Sequence, residues 1–448
     1  MKRKVAVIGA GWAGLAAAVR LVEGGVHVDL FEASRTAGGR ARTVVMRGVA
    51  LDNGQHVLLG AYRRCLDLMR TVGVDEHAWL RLPLSLDAPG RFKLQTSRWL
   101  PSPWHLAAGL LFARGFSARD KWALARFMRT LDTPELGPAS GTTVAQWTAS
   151  LPLRVRERML DPLCISALNT PPDEADAVVF ATVLRDSLTG DARRSDLLLP
   201  AGDLGSLLPE PAVRYLAAHD SQVLLGTSID RLQASSGAWL LDRNDLEHEE
   251  ARTPYSAVVL ATPPWRTHDL LASVGDARLE PTLRQLSQLR FEPITTVYLR
   301  FTARVSLDAP MTALVVDTER LEHGQFAFDR SRLGGPDGWI AVVISAARET
   351  LNVDPTALVT GCVRQLEHAL RTSLTLVDSR VICEKRATWL CVPDLTRPAN
   401  RMPVEGLWLA GDYTDGPYPA TLEQAVMSGE AAAAGLLAGG INAPRYSR

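Results

Sequence analysis

The sequence predicts an α/β fold built around a parallel β-sheet. Near the N-terminus, the apolar run Lys4–Ile8 is typical of a buried strand and leads directly into Gly9-Ala-Gly-Trp-Ala-Gly14, which an alanine-rich helical segment follows. A second strand, His27–Phe31, ends at the acidic residue Glu32. Near the C-terminus, another short apolar strand, Gly406–Asp412, precedes a helix rich in alanine and glycine. Together these segments predict a Rossmann-type dinucleotide-binding domain.

The G-x-G-x-x-G spacing has a physical reason at each glycine. Gly9 permits a tight turn, Gly11 removes a side chain where a diphosphate must approach, and Gly14 lets the helix pack closely on the strand. The helix then points its N-terminal N–H groups at the phosphates. Glu32 follows at the distance where a carboxylate can accept hydrogen bonds from an adenosine ribose. Three neighbouring residues are also expected to contact the nucleotide, namely Trp12, Ala13 and Ala33.

The residues after Glu32 indicate which dinucleotide binds. Glu32 is followed by Gly38-Gly39-Arg40, and this pattern resembles that of the FAD-dependent amine oxidases, protoporphyrinogen oxidases and carotenoid desaturases. The resemblance implies an FAD cofactor, with Arg40 near the diphosphate and the flavin. Two glycines allow the backbone to pass close to a cofactor, and a guanidinium group can neutralise phosphate charge through paired hydrogen bonds.

The C-terminal strand and helix agree with an FAD site. In the families that the chain resembles, Gly411 and Asp412 lie beside the ribityl and diphosphate groups, and the next helix, which Thr421 and Leu422 begin, points at the flavin pyrimidine. The positive end of that helix would stabilise a reduced flavin anion. No cysteine follows Cys391, so this segment provides no thioether to the flavin.

If both ends of the chain contact one cofactor, the domains must be discontinuous. We expect an FAD-binding domain formed by residues 1–73, 197–264 and 389–448, and an α+β substrate-binding domain formed by residues 74–196 and 265–388. The block 74–196 is predicted to be mostly helical, and the later block to form a mixed sheet. Within the FAD-binding domain, the resemblance also implies that Ile229 lies near the adenine of the cofactor and that Ala261 contacts the cofactor.

Composition excludes several classes of protein. Lys and Arg together number 49, as do Asp and Glu, so nucleic acid is not expected as a partner. The five cysteines are scattered and never spaced as C-x-x-C, which indicates neither a disulfide framework nor a zinc site and favours buried free thiols in a reducing cytosol. No metal site is expected, and the sequence does not indicate an oligomeric state.

One segment, near residues 99–130, is a candidate for contact with a membrane. No apolar run approaches the roughly 20 residues that span a bilayer. Trp104–Ala113, however, combines tryptophan and leucine with basic flanks, as do helices that lie in a bilayer interface. A buried core helix with a basic outer face is the alternative. The protein is therefore expected in the cytoplasm, either freely soluble or peripheral at the inner face of the cell membrane.

Three longer segments resemble one subgroup, the hydroxysqualene dehydroxylases, also called squalene-associated FAD-dependent desaturases. They are Leu51–Tyr62, Asp161–Ala177 and Leu409–Glu430. The resemblance implies reduction of the triterpenoid hydroxysqualene to squalene, in squalene and hopanoid synthesis, by FAD that an unidentified reductant keeps reduced. The alternatives are a carotenoid or phytoene-type desaturase, an amine oxidase, and a non-catalytic carrier of prenyl lipids.

Loss of a hydroxyl group requires a proton donor, because hydroxide is a poor leaving group. His56 is the first candidate, with Asp52 to hold its charge and orientation. The resemblance places their loop beside the flavin, so three residues between them are expected at the cofactor, namely Asn53, Gly54 and Gln55. Tyr413 and Asp415 are alternative donors, as is Tyr418. Asn169 and Thr170 either orient the hydroxyl or simply form a turn.

Overall fold

The computed structural model describes residues 4–88, 92–131, 133, 136–243 and 253–439. Its helices are α1 Trp12–Glu23, α2 Arg63–Thr71, α3 Trp104–Phe112, α4 Ala118–Leu131, α5 Val144–Trp147, α6 Leu153–Val155, α7 Asp161–Leu168, α8 Ala177–Leu188, α9 Leu204–Leu207, α10 Pro209–Ala218, α11 Pro264–Val274, α12 Glu280–Gln288, α13 Pro355–Leu370 and α14 Leu422–Ala438.

The strands are β1 Lys4–Ile8, β2 His27–Glu32, β3 Thr43–Met46, β4 Val49–Asp52, β5 Leu58–Leu59, β6 Trp79–Leu82, β7 Ser85–Ala88, β8 Phe92–Gln95, β9 Leu197–Pro200, β10 Gln222–Leu225, β11 Ile229–Ser235, β12 Ala238–Arg243, β13 Ala257–Leu260, β14 Phe291–Phe301, β15 Met311–Ala313, β16 Phe326–Asp329, β17 Trp339–Ile344, β18 Leu376–Trp389 and β19 Leu407–Leu409.

A parallel sheet with the order β10-β2-β1-β13-β19 confirms the predicted α/β fold. The central strand β1 is almost wholly apolar because helices or loops cover both faces of the sheet. Helices α1, α10 and α14 share one core with it. In the register of the sheet, Ile8 lies between Phe31 and Leu260, so the loops that follow β1, β2 and β13 leave from the same edge.

A second sheet has the order β15-β16-β17-β14-β18 and is antiparallel at every pairing, not mixed as predicted. Successive side chains of β14 point to opposite faces. Val297 and Leu299 pack with helix α13, whereas Tyr298 packs with Leu51 at the end of β4. One face of this sheet is therefore turned towards the segment that follows β4.

The block 74–196 is less helical than predicted, because strands β6, β7 and β8 precede its helices. β6 pairs with β9, and β7 pairs with β8 as a hairpin. Within the described residues, no helix combines the length and apolar composition that crossing a bilayer requires.

The polar residues 235–252 predict an exposed hairpin. The structure forms a hairpin earlier, from β11 and β12 over residues 229–243, and residues 244–252 lie outside the described part of the chain. The free thiols are buried at Cys65, Cys164, Cys362 and Cys391, whereas Cys383 is exposed.

Candidate functional site

The glycine motif forms a turn that no other residue could form. Gly9 has φ 106°, and a Cβ added to it would lie 2.5 Å from the backbone oxygen of Ala261. A Cβ on Gly14 would lie 1.8 Å from the backbone oxygen of Gly9. In both positions the added Cβ would clash with backbone atoms, which cannot move aside as the end of a flexible side chain can. The turn after β1 is therefore held against the end of β13, with helix α1 starting directly behind it.

Glu32 is fixed by two backbone donors at the end of β2. Its Oε2 atom accepts a hydrogen bond from the N–H of Ala10, and its Oε1 atom accepts one from the N–H of Ser34, both at 2.8 Å. Each oxygen keeps a second lone pair for a ligand hydroxyl. Ala33 beside it is exposed. Helix α1 starts after Gly11, which has no side chain to cap the first N–H groups, so these donors suit a phosphate.

The second glycine pair packs directly on the first motif. The N–H of Gly38 donates to the backbone oxygen of Ala10 at 2.8 Å, and a Cβ on Gly39 would lie 3.1 Å from the Cα atom of Gly11. Trp12 and Ala13 are buried at the start of α1. This close approach of glycine backbones leaves a surface of N–H groups and small residues, which fits an extended diphosphate.

Arg40 connects three distant segments of the chain. Its Nη2 atom lies 2.7 Å from Oδ1 of Asp412, and its Nη1 atom donates to the backbone oxygen of Ala387 at 2.5 Å. Burial opposes the charge of Arg40, but the Asp412 carboxylate keeps its pKa above the ordinary value. The positive charge of Arg40 therefore persists at neutral pH beside the glycine turns.

The C-terminal residues are positioned by hydrogen bonds around Asp412. The indole Nε1 of Trp389 donates to the backbone oxygen of Asp412 at 3.0 Å, and the N–H of Gly411 donates to Oγ of Ser428 at 2.9 Å. Helix α14 begins at Leu422, and the hydroxyl of Thr421 accepts a hydrogen bond from the N–H of Gln424 at 3.2 Å. The start of α14 is thus held at the same edge as Arg40.

Two further predicted cofactor residues, one at the start of β11 and one directly after β13, are also bonded to neighbours. The backbone oxygen of Ile229 accepts a hydrogen bond from Nη2 of Arg266 at 2.6 Å. The N–H of Ala261 donates to the backbone oxygen of Ile8 at 2.7 Å, which continues the parallel sheet by one residue. Ala261 therefore lies against Gly9, whereas Ile229 begins the separate β11–β12 hairpin.

The polar segment Asp52–Gln55 does not pair Asp52 with His56, as the sequence predicted. The Asp52 carboxylate, at the end of strand β4 and not in a loop, lies 3.1 Å from Nη2 of Arg330 and accepts from the N–H of Leu204 at 2.9 Å. Arg330 also donates to Oε1 of Gln55 at 2.9 Å. Asp52 is thus paired with a guanidinium group in the 3-10 turn that directly follows strand β16, which no sequence pattern had indicated.

Tyr298 completes this network from strand β14. Its hydroxyl donates to the backbone oxygen of Asp52 at 2.8 Å and accepts from Nε2 of Gln55 at 2.7 Å. The side chain of Asn53 donates to the backbone oxygen of Arg40 at 2.9 Å, and it also reaches Oε2 of Glu384 at 3.3 Å. The segment is therefore fastened to the second sheet on one side and to the Arg40 loop on the other.

His56 lies next to Gly54 at the centre of these contacts. Its Nδ1 atom is 3.3 Å from the backbone oxygen of Gly54, and burial, opposed by that contact and assisted by the nearby charge of Arg40, lowers the pKa of His56 to about 4. A Cβ on Gly54 would lie 3.9 Å from Cε1 of His56 and 3.9 Å from Oγ1 of Thr296. The Thr296 hydroxyl is buried, and it has no hydrogen-bond partner among the residues that the structure describes.

The alternative proton donors are arranged less favourably. Tyr413 is buried, and its hydroxyl lies 2.9 Å from Oγ1 of Thr267, while burial raises its pKa well above the ordinary value. Asp415 is exposed. Tyr418 is hydrogen-bonded to Asp186, and burial together with that bond raises its pKa.

Asn169 and Thr170 form a turn, and their side chains are hydrogen-bonded to protein groups. Asn169 ends helix α7 with φ 47°, and its amide is bonded to Oγ1 of Thr388 at 2.9 Å and to the N–H of Ala346 at 2.6 Å. The Thr170 hydroxyl donates to Leu168 and accepts from the N–H of Cys391 at 3.1 Å. Both side chains are therefore occupied by backbone and neighbouring residues.

Sequence reasoning missed three residues of the second sheet, namely Tyr298, Thr296 and Glu384, and it missed Arg330, which directly follows strand β16. Alternation along β14 predicted a strand but not which of its faces meets the Asp52 segment. The signal that could have found Arg330 is weak, because Asp52 simply required a cationic partner somewhere in the chain once it was buried.

Comparisons with known proteins agree with this architecture. A family model described as "Flavin containing amine oxidoreductase" matches residues 12–437. A hydroxysqualene dehydroxylase of Sinorhizobium fredii is 28% identical over 446 residues, which cover 97% of this chain and 98% of that protein. Another from Rhodopseudomonas palustris is 28% identical over 462 residues, covering 98% and 100%.

The fold also resembles solved structures. Cyclohexylamine oxidase from Brevibacterium oxydans superposes with a TM-score of 0.66 at 17% identity, over 98% of this chain and 99% of that one. At this identity the similarity shows that the two chains share a fold and nothing about substrate.

Proposed function

Because the chain belongs to the flavin containing amine oxidoreductase family, we propose that this FAD-dependent oxidoreductase reduces hydroxysqualene to squalene. The observation that carries the proposal is similarity to hydroxysqualene dehydroxylases over nearly the full length of both chains. In this reaction a carbon–hydrogen bond forms as the carbon–oxygen bond breaks, and the departing hydroxide takes one proton and leaves as water. An electron donor, not yet identified, must keep the flavin reduced.

FAD is the cofactor, and the residues around the glycine turns would hold it. Gly9, Gly11 and the start of α1 would receive the diphosphate, Glu32 the adenosine ribose, and Arg40 with Asp412 the region between diphosphate and flavin. When bound and reduced, the flavin supplies the hydride. The task of the protein is then to place the alcohol, to exclude water, and to deliver the proton.

We assign that proton to His56. Because a carbonyl oxygen can only accept, the contact with Gly54 requires a hydrogen on Nδ1. Nε2 is then free to take up a proton from solvent and to donate it to the hydroxyl group. The lowered pKa of about 4 makes the imidazolium scarce at neutral pH but a strong acid when it forms. A strong acid is what the expulsion of hydroxide demands.

Asp52, Arg330, Gln55 and Tyr298 are positioning residues in this scheme. Asp52 and Arg330 neutralise each other, so neither adds a net charge next to His56. Their hydrogen bonds hold Gly54 and His56 against the face of the second sheet, which also presents the Thr296 hydroxyl. A fixed loop keeps the donor at one distance from the reacting carbon.

The substrate is a triterpenoid lipid, which is scarcely soluble in water. We propose that the protein meets it at the inner face of the cell membrane from the cytoplasm. The absence of a spanning helix in the described residues is compatible with peripheral contact.

The direct test is anaerobic incubation of the reduced holoprotein with hydroxysqualene. Flavin absorbance should return as squalene forms, in equal molar amounts. If the flavin stays reduced with hydroxysqualene, while the oxidised holoprotein is bleached by phytoene or an amine, the chain is a desaturase or an amine oxidase. A purified protein that carries no flavin and cannot be reconstituted would favour the lipid carrier.

A further inference from the structure

Helix α3 presents its apolar side to solvent. Trp104, Leu111 and Phe112 are exposed by 65%, 67% and 77% of their surfaces, and Ala107 is exposed between them. These positions follow the spacing i, i+3, i+7 and i+8, so they form a single stripe along the helix. A helix of a soluble domain normally turns such a stripe inward. The core-helix interpretation of this segment is therefore wrong, because on α3 only His105 and Gly109 are buried.

The orientation of α3 is fixed by its neighbours. A Cβ on Gly109 would lie 2.9 Å from the backbone oxygen of Gln95. The helix therefore packs on strand β8 through the side that carries this glycine. Nζ of Lys121 donates to the backbone oxygen of Leu111 at 2.6 Å, which ties helix α4 to the end of α3. The apolar stripe is thus held outward by packing on the opposite side.

Two tryptophans extend the stripe. Trp99 precedes α3 and is 89% exposed, and Trp122 on α4 is 65% exposed. We call the "α3–α4 face" the exposed surface formed by Trp99, Trp104, Leu111, Phe112 and Trp122 together with the basic residues that surround them. Isolated apolar residues are ordinary on a surface, but four large ones on two joined helices and a fifth just before them are not.

The charge of this face has one sign. Between residues 98 and 131 the basic residues are Arg98, Arg114, Arg119, Lys121, Arg126 and Arg129, and the only acid is Asp120. Asp120 is buried and accepts a hydrogen bond from the N–H of Ser117 at 2.8 Å, so it does not face solvent. Arg126 lies over the ring of Trp122 at 5.7 Å. Six basic residues against one acid leave a net charge of +5.

We propose that the α3–α4 face docks on an anionic lipid bilayer. Tryptophan, phenylalanine and leucine would enter the boundary between headgroups and acyl chains, and the arginines would bind lipid phosphates. A helix of nine residues is about 14 Å long and would lie in the plane of the interface. A second copy of the chain fits less well, because two such faces would bring together charges of the same sign. The functional reason for docking depends on the proposed function, in which the substrate is a lipid. The binding of the face to a bilayer does not depend on it.

The test is co-sedimentation of the holoprotein with vesicles of phosphatidylcholine, with and without phosphatidylglycerol. The wild type should bind the anionic vesicles more strongly, and added salt should weaken this binding. The double variant Trp104→Ser/Phe112→Ser should lower partitioning by roughly tenfold or more, because two large apolar side chains no longer enter the interface. Arg119→Glu/Arg126→Glu should abolish the preference for anionic lipid. The control Val45→Ser, on a strand residue that is 74% exposed, should bind like the wild type.

Two results would overturn the proposal. One is the absence of binding to anionic vesicles, and the other is equal binding by wild type and face variants. Turnover of detergent-solubilised hydroxysqualene, measured in parallel, separates this proposal from the proposed reaction. Turnover without vesicle binding contradicts only the docking surface, and vesicle binding without turnover contradicts only the reaction.

Discussion

Arg330, directly after strand β16, and Asp52, at the end of strand β4, form a buried ion pair. Nη2 of Arg330 lies 3.1 Å from Oδ2 of Asp52, and each side chain is only 3% exposed. The pair stands 278 residues apart in sequence, yet it holds the segment that carries His56. The energetic consequence is asymmetric, because a buried charge that loses its partner is far more costly than an exposed one.

We therefore expect Arg330→Met to destabilise the protein by about 3–5 kcal/mol, measured as the free energy of unfolding in urea. Arg304→Met is the matched control, since Arg304 pairs with Asp337 at 3.1 Å but both side chains are mostly exposed. The control should change stability by less than about 1 kcal/mol. Equal effects of the two variants would show that burial of the Asp52 pair is unimportant.

Gly9→Ala should abolish retention of FAD. The new Cβ would lie 2.5 Å from the backbone oxygen of Ala261 at a φ of 106°, so the turn must move away from the diphosphate. Gly25→Ala tests strain alone, because Gly25 has φ 75° but no atom within 4 Å of an added Cβ. It should keep its flavin at a cost of about 1 kcal/mol in stability. The ratio of flavin to protein absorbance checks both variants, and a fully loaded Gly9→Ala protein would refute the turn's role.

Thr296→Val should leave stability unchanged or slightly higher while lowering the rate of dehydroxylation by roughly tenfold. The reason is that the buried hydroxyl makes no hydrogen bond to any residue in the described part of the chain, so its removal is harmless unless cofactor or substrate uses it. Thr148→Val is the converse control, because its hydroxyl donates to the backbone oxygen of Val144 at 2.8 Å. That variant should lose stability and keep its rate. Unchanged turnover in Thr296→Val would remove Thr296 from the site.

The pH dependence of turnover should identify the proton on His56. With a pKa lowered to about 4, the protonated fraction grows tenfold for each unit by which pH falls from neutrality towards 4. The rate of anaerobic flavin reoxidation should rise in the same direction and level off near that pKa. His56→Gln should be slow and insensitive to pH over this range. A variant with the wild-type profile would mean that another group supplies the proton.

The same lowered pKa has a consequence for stability. The unfolded chain binds a proton at His56 below about pH 6.5, whereas the folded protein resists it until about pH 4. This contribution to stability is therefore complete above pH 6.5 and lost as the pH falls through 4. Urea unfolding between these values should show a shallower decline in His56→Gln than in the wild type.

Local patterns were sufficient to predict the glycine turn between β1 and α1. Gly9, Gly11 and Gly14 follow a strand and begin a helix, and Glu32 ends the next strand, so each role depends on neighbours that are close in sequence. The parallel sheet and the FAD-type fold follow from the same short stretch, and the comparisons confirm them. Such predictions succeed because backbone sterics and strand order act over short distances along the chain.

The partners of the Asp52 segment could not be predicted in this way. Sequence proximity suggested that Asp52 would orient His56, but the carboxylate forms an ion pair with Arg330 instead. The orientation of α3 was equally undetermined, because an apolar stripe has the same composition whether it faces a core or a membrane. The sequence by itself determined the fold and the cofactor-binding motif, whereas the tertiary structure decided which groups surround His56 and which face α3 exposes. The physical reason is that burial and ion pairing depend on contacts between distant segments, which only the folded chain brings together.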